Sequence, residues 1–98
     1  MATNSQLKQQ VIRQTLSGGW TAFTFDVKSK SFAVKNFSGG PIYVSFVDGE
    51  EENASIKILD GMAEVCYITS LYDLAGSYFR DTIYVKGTGE VEVEAIEF

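Results

Sequence analysis

The sequence has no histidine, a single cysteine and a single proline, and its thirteen acidic residues outnumber eight basic ones. Each shortage excludes something. Without histidine the common general base and activator of nucleophiles is missing, and a serine or cysteine nucleophile would need lysine or a carboxylate in its place. With Cys66 alone there is no intrachain disulfide, and a zinc site would lack both of its usual ligand types. No enzymatic activity, metal or cofactor is therefore expected. A formal net charge of -5, with the lysines scattered, provides no footprint for a polyphosphate, so nucleic acid is not an expected partner. Long apolar runs are also missing. Residues 1–19 hold no run of seven apolar residues, so no secretory signal is expected and synthesis is placed on the cytoplasmic side. No stretch approaches the roughly 18 to 20 apolar residues of a membrane-spanning helix, and no membrane partner is expected.

What is present suits one folded domain. Hydrophobic residues make up 45% of the chain and charged residues only 21%, which argues against disorder. Residues 1–19 are glutamine-rich and end at Ser17-Gly18-Gly19. Leu7, Val11, Ile12 and Leu16 form neither a clean helical face nor a clean strand face, so the segment reads as an N-terminal arm preceding a domain over residues 20–98. An extra edge strand of the same domain is the alternative.

From Trp20 onward the period is two. Phe23, Phe25 and Val27 share one face, then Phe32 and Val34. Ser29-Lys30 is a poor tight turn, so the strands on either side of it are expected in different sheets. Three later segments read as hairpins. Ser38-Gly39-Gly40 would set Val34 against Val44 and Phe32 against Phe46. Asp60-Gly61, the strongest two-residue turn signal, would pair Ile58 with Ala63, Ile56 with Val65 and Lys57 with Glu64. Gly87-Thr88-Gly89 would set Val85 against Val91 and Ile83 against Val93, with Lys86 facing Glu90 and Tyr84 facing Glu92 on the outside. The phase is expected to shift near Ala95, where Ile96 and Phe98 fall on the glutamate face. Seven short strands without a convincing helix imply an all-β fold, a single small antiparallel β-sandwich of jelly-roll or Ig-like kind. Its inward set is Phe23, Phe25, Val27, Phe32, Val34, Ile42, Val44, Phe46, Ile56, Ile58, Val65, Ile83, Val85, Val91 and Val93.

Candidate chemistry is sparse. Cys66 sits mid-strand, opposite Ser55 in the hairpin register, and reads as a packed strand residue, since nothing electropositive adjoins it. Asp48, Glu50 and Glu52 resemble the opening of a calcium loop but lack its glycine and its closing glutamate, so a solvated acidic loop is the better reading. Glu90, Glu92 and Glu94 read as the outer face of a strand. The remaining lead is aromatic, at 13% of residues. Trp20, Tyr43, Tyr72, Tyr78, Phe79 and Tyr84 are not needed for the inward pattern and are the candidate interaction surface. Packing over the ends of the sheet is the plain alternative for each.

The runs V-K-N-F-S-G-G-P-I-Y-V-S-F, S-I-K-I-L-D-G-M-A-E and I-Y-V-K-G-T-G-E-V-E-V resemble the small β-sandwich accessory structural proteins of tailed-bacteriophage virions, such as capsid decoration or head-fibre base proteins. The similarity covers about residues 20–95 and is one of texture, short strands and glycine turns, not of a signature motif. It implies a symmetric homo-oligomer, trimeric in that family, located in the virion and bound to other virion structural proteins. The expected function is thus a non-enzymatic structural role. A carbohydrate-binding module, with Trp20 or the tyrosines stacking on sugar rings, is the alternative.

Overall fold

The structure, a computed structural model, describes residues 10–68 and 79–98 of the chain. It is all-β: β1 (Val11–Ser29), β2 (Ser31–Phe37), β3 (Ile42–Ser45), β4 (Ile56–Ile58), β5 (Ala63–Tyr67) and β6 (Arg80–Ala95). A 3-10 turn, Glu52–Ala54, precedes β4. Among the described residues there are six strands where seven short ones were expected, because the two expected on either side of Gly87-Thr88-Gly89 are one 16-residue strand, β6. Of the two readings of the N-terminal segment, the edge strand describes residues 11–19; residues 1–9 lie outside the described residues.

All pairings are antiparallel. β6 is the axis of the sheet. One of its edges pairs with β1 from Val11↔Glu94 to Thr24↔Thr82, and the other is shared by β3, at 84–86, and β2, at 90–95. β4 then adds to β3, and β5 to β2. The result is one curved sheet, nearly closed like a barrel, with one half carrying β4 and β3 and the other β2 and β5. The halves meet across a single core: the Phe32 ring lies 5.5 Å from Phe25 and 5.8 Å from Phe46.

The curvature originates at glycines. Between Ser17↔Thr88 and Trp20↔Lys86, β1 advances three residues while β6 advances two, a bulge that inserts one residue at Gly18-Gly19 and switches the inward positions of β1 from even (Leu16) to odd (Phe23, Phe25) while those of β6 stay odd. On β6 a Cβ at Gly89 would stand 2.5 Å from the Ser38 carbonyl oxygen and 2.8 Å from its Cα, and the residue holds φ +115°. Only glycine lets the 38–40 segment cross there without strain.

None of the three expected hairpins forms. Gly87-Thr88-Gly89 is not a loop but the bend within β6, so Val85 faces Thr21 and Val44, while Val91 faces Gln14 and Asn36. β2 does not pair with β3, nor β4 with β5; the 38–40 and 59–62 segments instead pass from one half of the sheet to the other. The reason is Asn36, only 1% exposed. Its Nδ2 donates to the carbonyls of Gly40 (2.8 Å) and Ile58 (3.0 Å), and its Oδ1 accepts from the Ser38 amide (2.8 Å). Its backbone bonds Met62 and Gly61 at 3.0 and 2.9 Å, while Asp60 Oδ1 accepts from the Gly39 amide at 2.9 Å. The two strongest turn signals are therefore tied to each other, and the polar groups that a hairpin would have satisfied locally are satisfied across the fold. Ser29-Lys30-Ser31 joins two strands that do not pair with each other, but β1 and β2 lie in one sheet, on opposite edges of β6, and not in different sheets as expected.

The inward pattern fares better than the pairing. Phe23, Phe25, Phe32, Val34, Ile42, Val44, Ile58, Ile83, Val85, Val91 and Val93 are buried, and Val27 and Phe46 pack against them. Ile56 and Val65 were expected inside and are exposed, because β4 and β5 are edge strands of an incompletely closed sheet and not partners of one another. Leu16, Cys66, Ile68 and Ala95 join the core. β6 keeps its phase through Ala95, leaving Ile96 and Phe98 exposed on the outer side.

Candidate interaction surfaces

The bend divides the outer face of β6 into two unlike surfaces. On the half Arg80–Lys86, Trp20 and Tyr43 flank Lys86 from either neighbouring strand, and Tyr84, two residues away on the same face, stands between Ala22 and Ser45. Trp20, Tyr43, Tyr84 and Lys86 are all half-buried. Lys86 Nζ pairs with Glu52 Oε2 at 3.0 Å, so the acidic loop folds toward Trp20, and Trp20, Lys86 and residues 49–53 border a shallow open depression. Three of the six sequence-predicted aromatics thus converge. Phe79 lies apart, beside a groove lined by Lys30, Tyr67, Ile68 and Glu97. Tyr72 and Tyr78 lie outside the described residues.

On the half Glu90–Ala95, Glu92 faces Arg13 on β1 and Lys35 on β2. The carboxylate accepts from Arg13 Nη2 at 2.5 Å and Lys35 Nζ at 3.1 Å, and Arg13 Nε also reaches Glu90 at 3.2 Å. Those bonds, Arg13's first, hold the Glu92 carboxyl below the ordinary carboxylate range. The cross-strand partners differ from the hairpin expectation, in which Lys86 faced Glu90 and Tyr84 faced Glu92. The acids meet β1 and β2 instead, a charge ladder that ties three strands together.

Elsewhere the chemistry is quiet. Cys66 is 1% exposed and faces Phe32, not Ser55; burial first, and then the charge of Glu64, push its thiol up to about 12, so it stays protonated at neutral pH. In the acidic loop the Glu51 amide donates to Glu50 Oε1 at 3.0 Å. Among the described residues no group of three His, Cys, Asp or Glu side chains is placed to hold a metal ion. No helix among them is long and apolar enough to cross a membrane.

A second surface was missed from the sequence. Leu59, Met62, Val65 and Tyr67 are 58%, 56%, 46% and 58% exposed along β5 and the turn before it. The alternation Val65-Cys66-Tyr67 already places Val65 and Tyr67 on the face opposite the buried thiol. The Asp60-Gly61 hairpin reading concealed this by turning Val65 inward. Comparison of the chain with protein-family models, with curated proteins and with solved structures finds no match.

Proposed function

We propose that this protein is a non-enzymatic structural protein that associates with copies of itself and with other subunits, in the manner of the virion accessory proteins it resembles, capsid decoration proteins among them. The sheet folded over its core serves in this reading as the small sandwich body of such a protein. One observation carries the proposal: Val65 and Tyr67 stand exposed on one face of an edge strand that has a single neighbour among the described residues, with Leu59 and Met62 exposed on the turn before it. Contiguous apolar surface at a sheet edge marks contact with another chain. Light scattering of the full chain over a range of concentrations tests it. A mass above that of one chain is expected; a strictly monomeric protein at the highest concentration overturns the reading.

The row Trp20–Lys86–Tyr43, with Tyr84 beside it, favours a second reading, carbohydrate binding by ring stacking. A glycan panel that registers binding lost in Trp20→Ala and Tyr43→Ala supports it, and a panel without binding removes it.

A further inference from the structure

We infer that β5 pairs with the β5 of a second copy, antiparallel and with Val65 on the two-fold axis; this contact rests on the self-association reading and specifies where it occurs. The parity of the β5 hydrogen bonds carries the inference. The Ile68 amide bonds the Lys30 carbonyl at 3.0 Å, and the Met62 carbonyl accepts from the Asn36 amide at 3.0 Å. Together with the pairing Phe32↔Cys66 these bonds set the even-numbered residues of β5 toward β2. In an antiparallel ladder both backbone groups of a residue point the same way, and successive residues alternate. Ala63, Val65 and Tyr67 therefore present their N–H and C=O groups to the edge that no other described strand covers, and their side chains are all exposed.

The register follows from charge and from the count of bonds. With Val65 facing Val65 of the second copy, Ala63 faces Tyr67, and every outward amide and carbonyl of these residues finds a partner. Glu64 then faces Cys66. Sliding the copies by one step brings either Glu64 against Glu64, which like-charge opposition disfavours, or Cys66 against Cys66, and in both directions it shortens the ladder formed by Ala63, Val65 and Tyr67. The chosen register also joins the Val65 and Tyr67 side chains of both copies into one apolar stripe. A two-fold contact uses the same patch on each chain, so it closes as a pair, in place of the trimer that the resemblance implies, and leaves no further β5 edge exposed.

The other edges are poorer templates. β4 has three residues and carries Lys57 at its centre. β1 presents a mostly polar outer side, including Arg13, Thr15, Ser17 and Thr24, and its register breaks at Ser17/Trp20 and Thr24/Ser29. Short, charged or bulged edges resist pairing.

The test is a charge exchange on the axis, read by sedimentation of the full chain, with circular dichroism to establish that each variant remains folded. Val65→Lys and Val65→Glu each place like charges opposite one another and are expected to weaken association by roughly tenfold or more. An equimolar mixture of the two is expected to recover it, because Lys then meets Glu. If folded variants associate as the wild type does, or if the mixture stays apart, the β5 contact is overturned while self-association through another surface stands. A monomeric wild type overturns both.

Discussion

The two halves of β6 share one interior and differ on the outside. Ile83 and Val85 in the first half, and Val91 and Val93 in the second, are each 0% exposed. Their outer neighbours differ in kind: aromatic rings around a lysine in the first half, a ladder of opposite charges in the second. Alternation alone requires only that the outer side chains tolerate water. Which polar or aromatic partners they meet depends on the strands that arrive on either side, and β3 and β2 bring different ones. The charged half is held by its own ion pairs, while the aromatic half leaves half-buried rings available for contact.

Breaking the bend between the halves should have the largest effect. Gly89→Ala combines a left-handed backbone angle with a close approach to the Ser38 backbone, and a loss of about 2 to 5 kcal/mol is expected in urea unfolding. A change below about 0.5 kcal/mol would mean that the 38–40 segment does not cross at this point. Next come the interiors. Val85→Ala and Val91→Ala should each cost about 2 to 3 kcal/mol, and by similar amounts, since both are fully buried in one cluster. A large disparity would show that the halves unfold separately.

The smallest effects separate the outer faces. Glu92 has a folded-state pKa below its unfolded value, so its contribution is fully present above about pH 4.3 and is lost as pH falls through the lowered folded value. Glu92→Gln should lower the urea midpoint at pH 7 and approach the wild type near the acid end, provided both remain measurable there. Parallel wild-type and variant curves across that range would remove the ladder's role. Lys86→Met, in the aromatic half, should change stability by no more than about 1 kcal/mol, because its pair with Glu52 is partly open to solvent, which screens it.

Most buried positions were legible from alternation, because a residue two places along a strand returns to the same side whatever strand lies next to it. Val44, Ile58, Ile83 and Val93 are inside for that reason. Val65 was turned to the wrong face by the Asp60-Gly61 assignment, which made partners of two edge strands, whereas Ile56 does face the inner side beside Val44 and is exposed because β4 is an edge strand. The pairing itself failed at Asp60-Gly61 for a reason no local signal carries: Asp60 bonds the Gly39 amide and Asn36 bonds Ile58, Gly61 and Met62, all distant in sequence. Of the candidate surface, the prominence of Trp20, Tyr43 and Tyr84 was legible as rings surplus to the core, but not their convergence around Lys86. That convergence needs β1 and β3 on opposite sides of β6.

The order of residues by itself determined that the chain is built of strands and, for most of them, which side chains leave water, since apolar alternation has one low-energy solution. Only the tertiary structure decided which strands lie together, where glycines bend a strand and do not end it, and which strands stand at the edges among the described residues. Every extended segment offers the same amides and carbonyls, so neighbours are chosen by packing and by buried groups such as Asn36, whose partners come from remote parts of the chain.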